Sequence, residues 1–215
     1  MKTAYRFALI TLGFCTALGV QAGIIGVAGG SGAPSTTLGS YTMTPFGDDS
    51  RAQLTAVTST ETTPIGGVVG FSSSMSLRTV GSNWATWSHG YTGDVYFGGS
   101  SLLSLTLTMP AGTGAFYFYA EPNSQALYNV SATSSAQVVE QMTNGLSGAN
   151  YFGFYGTGGD TISSITISFA SGTLGGAVGE FGIARASTSV PDAGQTFGLL
   201  GAALVLLIGL RRRLA

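Results

Sequence analysis

Apolar and hydroxyl residues alternate strictly in the middle of the chain. Residues 103–109 have the sequence Leu-Ser-Leu-Thr-Leu-Thr-Met, and residues 165–169 have the sequence Ile-Thr-Ile-Ser-Phe. Because successive side chains of a strand point to opposite faces, this period of two predicts strands with one buried and one solvated face. Two aromatic-rich segments, 114–120 and 151–155, predict strands that are buried on both faces.

Turn-forming residues separate these segments at intervals of roughly 8 to 15 residues. They include the residues around Gly66, Gly98, Pro110, Pro122, Asn144, Gly158 and Gly175. Residues 134–142 are compatible with a short helix, but we favour a strand there. The pattern predicts an all-β ectodomain arranged as a sandwich or a jelly roll.

The N-terminal segment has the pattern of a secretory signal peptide. Two cations precede an apolar stretch over residues 7–20, and small residues surround a site between Ala22 and Gly23. Cleavage is predicted after Ala22, so residues 1–22 form the signal peptide and the rest of the chain is exported.

The C-terminal segment is a second apolar run, and it ends in three cations. Residues 197–210 carry no charge and are followed by Arg211, Arg212 and Arg213. As a helix these residues would extend for roughly 21 Å, less than the ~30 Å hydrocarbon core, and counting back towards residue 193 brings the run just within the spanning range. We predict a transmembrane helix over 194–210, with the arginines on the cytoplasmic side and the ectodomain outside.

A short proline-containing motif precedes this helix. It consists of Val190, Pro191, Asp192, Ala193 and Gly194. The order of motif, apolar helix and arginine cluster resembles the PEP-CTERM class of sorting signals, and is most similar to the Val-Pro-Asp-Ser-Gly variant, with Ala193 in the place of serine. The β-rich segment 102–169 is also similar to ectodomains that precede such tails.

The resemblance implies a partner and a destination. In that family, exosortase, a membrane protease-transpeptidase, recognises the tail and processes the protein for the cell surface or the exopolysaccharide matrix. The tail would then anchor the chain transiently in the inner membrane and be cut near the motif. Pro191 fixes its own φ and disfavours a helical Val190, so the motif is expected to be extended, as proteases require of their substrates.

Composition divides the remainder of the chain. Residues 23–40, rich in Gly, Ser and Thr, predict a flexible leader, and residues 186–189 a linker. The predicted ectodomain therefore covers residues 41–185, and the sorting tail covers residues 190–215.

Charge and cysteine content exclude several functions. Between residues 23 and 189 there are three arginines and eight carboxylates, a net charge of −5, and no basic patch. Nucleic-acid binding through phosphate neutralisation is therefore not expected. The sole cysteine, Cys15, lies in the signal peptide, so the mature chain has no thiol for a disulfide, a metal or a nucleophile. We predict no cofactor.

The titratable residues of the body give weak indications of chemistry. His89 is the only histidine and no Gly-x-Ser-x-Gly motif accompanies it, so we favour a loop histidine over a catalytic triad and exclude a histidine-pair metal site. Glu121 and Glu140 could form a glycosidase pair, but Glu121 precedes Pro122 in an apparent turn, where carboxylates are usually solvated. We predict that the chain is not an enzyme.

A metal ligand set is weakly indicated at Asp48 and Asp49. These two carboxylates follow Pro45, Phe46 and Gly47 and could offer oxygens to calcium. Their spacing is not that of a calcium-binding loop, and an exposed turn explains them equally well. We predict no metal site.

An aromatic cluster gives the best-motivated ligand hypothesis. Trp84, Trp87 and Tyr91, with Tyr96 nearby, could stack on the apolar faces of sugar rings. Trp84 and Trp87 are three residues apart, so on a regular strand they would face opposite ways and one would lie in the core. We favour packing over a sugar platform.

Two function classes follow. The first is a structural or adhesive protein of the surface or matrix, and the second is a carbohydrate-binding module with exopolysaccharide as its ligand. A glycoside hydrolase comes third. Exposure of Trp84 or Trp87 would favour the second class, and a serine within hydrogen-bond reach of His89 would favour an enzyme.

Overall fold

The computed structural model describes residues 23–146 and 148–186, and all the regular structure in this part of the chain is β. The all-β prediction is therefore confirmed. The strands are β1 (Gly23–Gly30), β2 (Thr37–Leu38), β3 (Tyr41–Thr42), β4 (Thr44–Pro45), β5 (Ala56–Ser59), β6 (Gly70–Thr79), β7 (Asp94–Phe97), β8 (Ser104–Thr108), β9 (Thr113–Pro122), β10 (Leu127–Ser134), β11 (Gln137–Asn144), β12 (Asn150–Thr157), β13 (Ser164–Phe169) and β14 (Gly176–Arg185).

The predicted signal peptide, residues 1–22, and the predicted tail, residues 190–215, lie outside the described residues. Within those that are described, no helix has the length and apolar character needed to cross a membrane.

One antiparallel sheet contains twelve of the strands. Its order is β1-β12-β9-β14-β7-β6-β8-β13-β10-β11, with β4 added to β14 and β5 to β6. The two end strands lie side by side, since the Gly30 backbone N–H donates to Gln141 Oε1 at 3.0 Å and Gly26 lies against Val139. The sandwich or jelly roll predicted from the sequence would divide the strands between two facing sheets. The described sheet is continuous and nearly closed on itself, and only the β2–β3 hairpin lies outside it.

The two strands predicted from alternation, β8 and β13, are neighbours in the sheet and direct their apolar side chains to its interior. Leu107 is paired with Ile165, and Leu105 with Ile167, and all four side chains are fully buried. The intervening hydroxyl residues point outward, where Thr106 Oγ1 lies 2.9 Å from Thr166 Oγ1. The strand prediction for residues 134–142 is also confirmed, because β10 ends at Ser134 and β11 begins at Gln137.

Strand β9 is buried on both faces, as the aromatic run predicted. Phe116 and Phe118 face the interior of the sheet, while Tyr117 and Tyr119 face outward, and none of the four is more than 1% exposed. The outer face is covered by the β2–β3 hairpin and by residues 80–93, the segment between β6 and β7. A second hydrophobic cluster therefore lies on the outer face of the sheet. The loop of residues 80–93 that covers this cluster forms part of the candidate site.

The flexible-leader prediction for residues 23–40 is wrong at residues 23–30 and 37–38, which lie in strands. Gly23–Gly30 forms β1, which pairs with β12 from Gly23 opposite Thr157 onward. Its glycines permit close packing: a Cβ at Gly26 would lie 2.6 Å from Val139 Cγ2. The folded body therefore includes residues 23–30, which lie ahead of the predicted start at residue 41.

Candidate functional site

Residues 80–93 carry the predicted aromatic and histidine candidates across the outer face of the sheet. Trp84 and Trp87 are 7% and 6% exposed and pack on the tyrosines of β9. Because these residues belong to a loop, strand alternation does not apply and both indoles point inward. This corrects the expectation that only one would be in the core.

Each indole N–H donates to a carboxyl group of the underlying sheet. Trp84 Nε1 donates to Glu121 Oε2 at 2.8 Å, and Trp87 Nε1 donates to Glu180 Oε2 at 3.0 Å. A buried indole needs such an acceptor, since an unpaired N–H would lose its hydrogen bond to water. The two glutamates therefore fix the loop on the sheet.

Glu121 is fully buried, in contrast to the solvated turn predicted for it. Strand β9 continues through Pro122, and Glu121 pairs with Ala177 of β14. Its Oε1 also accepts from Thr86 Oγ1 at 3.1 Å and from the Gly148 backbone N–H at 3.3 Å. Sequence reasoning misplaced this residue because Glu-Pro-Asn resembles a turn.

Glu180 lies at a bulge in β14. The register with β9 shifts between Gly179 and Gly182, and the backbone of Glu180 is left-handed, with φ of 52°. Bulges re-aim side chains, and this one directs Glu180 towards His89, whose Nε2 lies 2.7 Å from Glu180 Oε1. Burial raises the pKa of Glu180, and the hydrogen bonds from His89 and Trp87 partly oppose that rise.

The structure brings Ser88, His89 and Glu180 together, a constellation that the sequence did not favour. Ser88 Oγ lies 3.0 Å from His89 Nδ1, and that nitrogen is also 3.3 Å from the Ser31 carbonyl oxygen. Ser88 is only 2% exposed. The hydroxyl therefore lies beneath the loop, and the three side chains connect residues 31, 88–89 and 180 across the outer face.

A cleft of about 310 Å³ opens next to this cluster. We call it the acidic cleft. It lies between residues 45–49, residues 60–62 and the bulge of β14. Five aromatic residues and five carboxyl groups line it: Phe46, Tyr91, Tyr96, Tyr117, Phe181, Asp48, Asp49, Glu61, Asp94 and Glu180.

Two of these carboxyl groups hold the wall of the cleft together. Asp49 is buried and forms an ion pair with Arg51, whose Nε donates to Oδ1 at 2.8 Å, and it accepts from Tyr96 OH at 2.9 Å. Asp94 Oδ2 accepts from the Asp49 backbone N–H at 2.8 Å, and Asp94 Oδ1 accepts from Thr79 Oγ1 at 2.8 Å. Asp49 is thus an internal anchor, while the neighbouring Asp48 is exposed.

Two other carboxyl groups of the lining, those of Asp48 and Glu61, are exposed. Glu61 accepts from Ser50 Oγ at 2.6 Å. Across residues 23–146 and 148–186, no three His, Cys, Asp or Glu side chains are grouped so that they could hold a metal ion.

Of the three predicted sugar-contact residues, one lines this cleft. Tyr91 is half-buried there and donates from its hydroxyl to the Asp94 carbonyl oxygen at 3.1 Å. Trp84 and Trp87 are almost fully buried, which leaves little ring surface for stacking on a sugar. Sequence reasoning missed Tyr117, Glu61 and Asp94, because residues from distant parts of the chain meet only in the folded sheet.

Asp49 makes the stability of the fold sensitive to acid. Its burial raises the pKa of the carboxyl, but the hydrogen bonds from Arg51 and Tyr96 together outweigh burial and lower it. The stabilisation is therefore fully present above the ordinary aspartate pKa and is lost as the pH falls through the lower folded value. We expect the wild-type chain to lose stability more steeply than Asp49→Asn below about pH 4.

Urea unfolding followed by circular dichroism at several pH values between 2 and 7 would measure this difference. Asp160→Asn, a carboxyl change away from the cleft, serves as the control and should retain the wild-type pH profile. Parallel profiles for wild type and Asp49→Asn would show that the ion pair contributes no acid sensitivity.

The structure defines a class of protein: an all-β domain with a nearly closed sheet. Several polar side chains hold its loops on that sheet. In the comparison with protein families, the VPDSG-CTERM motif matches residues 189–214. This tail is a PEP-CTERM-type C-terminal sorting signal, as its tripartite sequence predicted. The matched range includes Ala193, which stands where the motif usually has serine. No curated protein and no solved structure matches the chain.

The sorting signal has direct consequences for the route of the chain. It implies export, transit through the membrane and processing by a membrane-associated sorting enzyme. The motif residues 190–194, the predicted helix 194–210 and the basic residues 211–213 all lie outside the described part of the structure.

Proposed function

We propose that the chain is a secreted, exosortase-processed protein of the cell surface or the exopolysaccharide matrix, with a structural or adhesive role. The observation that carries this proposal is the match of residues 189–214 to the sorting signal. The body supports it, because Glu121, Asp49 and Glu180 hold loops in place by hydrogen bonds.

Ser88 lies within hydrogen-bond reach of His89, the observation named above as favouring an enzyme, but we propose that this cluster has a structural role. A serine hydrolase needs a nucleophile that an acyl group can reach, and Ser88 is 2% exposed. The Glu180 carboxyl is also engaged by Trp87 Nε1. We propose that Ser88, His89 and Glu180 act as a clamp on the loop and that the chain is not an enzyme.

A carbohydrate-binding module is the second candidate function. The observation that favours it is the acidic cleft, where aromatic rings and polar groups meet at one opening. Its position differs from that of the tryptophan platform, which the sequence offered as the less favoured alternative to packing. The two candidates are compatible if matrix attachment uses this cleft.

Processing of the tail tests the main proposal. We expect mass spectrometry of the surface-exposed chain to find a new C-terminus near residues 190–194, with Arg211 to Ala215 removed. Cells without the exosortase should retain the intact tail in the membrane fraction. Asp192→Asn should slow the processing in normal cells, whereas Thr188→Ala, a change just ahead of the matched segment, should not.

An intact Arg211 to Ala215 on the surface-exposed form would overturn the proposal. Equal processing in cells with and without the exosortase would assign the tail to another enzyme. Ala193→Ser restores the usual residue of the motif and should be processed at least as well as the wild type.

A further inference from the structure

The acidic cleft has more negative charge than its cationic neighbours can balance. Its lining includes five carboxyl groups. Among the described residues, Arg51 is paired with Asp49, and His89 is paired with Glu180. Asp48 and Glu61 form no ion pair in this part of the chain. A recessed wall with one sign of charge concentrates the opposite charge, so the cleft is suited to a cationic ligand.

Tyr117 provides a second and independent indication of a ligand. Its side chain lies over Gly182 and is 1% exposed, yet its ring reaches the lining of the cleft. No described residue hydrogen-bonds to its hydroxyl. Among the described residues the fully buried side-chain atom without a partner is Arg78 Nε, so the Tyr117 hydroxyl keeps contact with solvent and is available to a ligand in the cleft. Burial raises the pKa of Tyr117 to about 12, and the charge of Glu180 adds to that rise, so the hydroxyl is neutral and can donate.

The aromatic rings restrict the chemistry of the ligand further. Phe46 and Tyr91 are half-buried at the cleft and offer ring surface beside the carboxyl groups. Such surfaces bind the apolar face of a pyranose ring and also attract cations. A hydrated metal ion would make no use of the apolar ring surface, and the described carboxyl groups are not clustered as metal ligands. The volume of about 310 Å³ is at the small end of ligand cavities, appropriate for one or two sugar rings.

We propose that the acidic cleft binds an amino sugar with a free ammonium group, as a unit of a polysaccharide. Asp48 and Glu61 pair with the ammonium group, the rings of Phe46 and Tyr91 pack on the sugar, and the Tyr117 hydroxyl donates to a ring substituent. This inference rests on the proposed adhesive role for its choice of a polysaccharide, and it names the ligand class through which adhesion would occur.

Two oligosaccharides that differ only in acetylation test the proposal. The full chain, purified in a nonionic detergent, is titrated by calorimetry at low salt with a fully deacetylated glucosamine tetramer and with its N-acetylated counterpart. We expect the deacetylated tetramer to bind at least about tenfold more tightly, since acetylation removes the charge that the carboxyl groups recognise.

Matched variants separate the cleft from general charge. Asp48→Asn should weaken binding about tenfold, whereas Glu140→Gln, which removes an exposed carboxyl of β11, should leave it unchanged. Tyr117→Phe removes only a hydroxyl and should weaken binding about fivefold, the loss of one hydrogen bond. The thermal unfolding midpoint of each variant shows whether the fold is retained.

Several outcomes would overturn the inference. They are equal binding of the two tetramers, equal losses in Asp48→Asn and Glu140→Gln, and binding of trilysine as tight as that of the deacetylated tetramer, which would mean that the cleft recognises charge without the sugar. Absence of binding with normal tail processing would remove this inference and leave the proposed sorting intact. Binding without tail processing would overturn the proposed sorting and leave the ligand inference intact.

Discussion

Replacement of Glu121 by leucine is expected to lower the free energy of unfolding by about 3 kcal/mol or more. Among the described residues, the substitution leaves three donors without their acceptor: Trp84 Nε1, Thr86 Oγ1 and the Gly148 backbone N–H. Each group left unsatisfied in a buried site costs about 1–3 kcal/mol. The loop that covers the outer tyrosines of β9 should loosen as a result.

Urea unfolding, followed by tryptophan fluorescence, would measure the loss. Glu121→Gln keeps one acceptor oxygen and should have an intermediate effect. Glu140→Gln is the control, because Glu140 is exposed on β11 and its change should stay within about 0.5 kcal/mol. If Glu121→Leu is as stable as Glu140→Gln, the glutamate does not hold the loop.

The second large effect is expected at Gly26. A Cβ there would lie 2.6 Å from Val139 Cγ2 and 3.2 Å from the Phe154 ring. Valine is stiff about χ1 and Phe154 is fully buried, so neither neighbour can move away easily. We expect Gly26→Val to destabilise the fold by about 2–3 kcal/mol, because it separates β1 from β11 where the sheet closes.

Gly32→Val is the matched control for this change. A Cβ at Gly32 has no atom within 4 Å, so the same substitution six residues later should be almost neutral. Thermal unfolding of both variants decides between two descriptions of the N-terminal region. A flexible leader would tolerate valine equally at both glycines, whereas the closed sheet requires a clear difference.

Glu121 and Gly26 lie at two contacts that hold the domain together. One is the contact of the loop 80–93 with the sheet, and the other is the contact between the end strands β1 and β11. The contact between β1 and β11 depends on Gly26 and on Gln141. Gln141 Nε2 donates to the Tyr151 carbonyl oxygen at 2.6 Å, and Gln141 Oε1 accepts from the Gly30 backbone N–H. The long loop depends on carboxyl groups that accept from indoles. For a protein sorted to the outside of the cell, both devices stabilise the body without a disulfide in the described region.

The sequence determined the features that depend on local pattern. Alternation around Leu105 and Ile167 required a strand with one buried face, and the run from Phe116 to Tyr119 required burial on both faces. The sorting tail was also evident, because a motif, an apolar run and a basic end are recognised in linear order. Each of these properties is specified by neighbours within a few residues.

The tertiary structure alone decided how distant segments meet. The glycines of residues 23–30 suggest flexibility as a sequence, but Gly26 and Gly29 lie where Val139 of β11 and Tyr151 of β12 leave no room for a side chain. Glu121 resembles a turn residue until Trp84, 37 positions away, covers it. The acidic cleft likewise joins Asp48, Glu61, Asp94 and Tyr117 across the sheet. Such long-range contacts depend on strand order, which a pattern of period two leaves open because several strands of the sheet share that pattern.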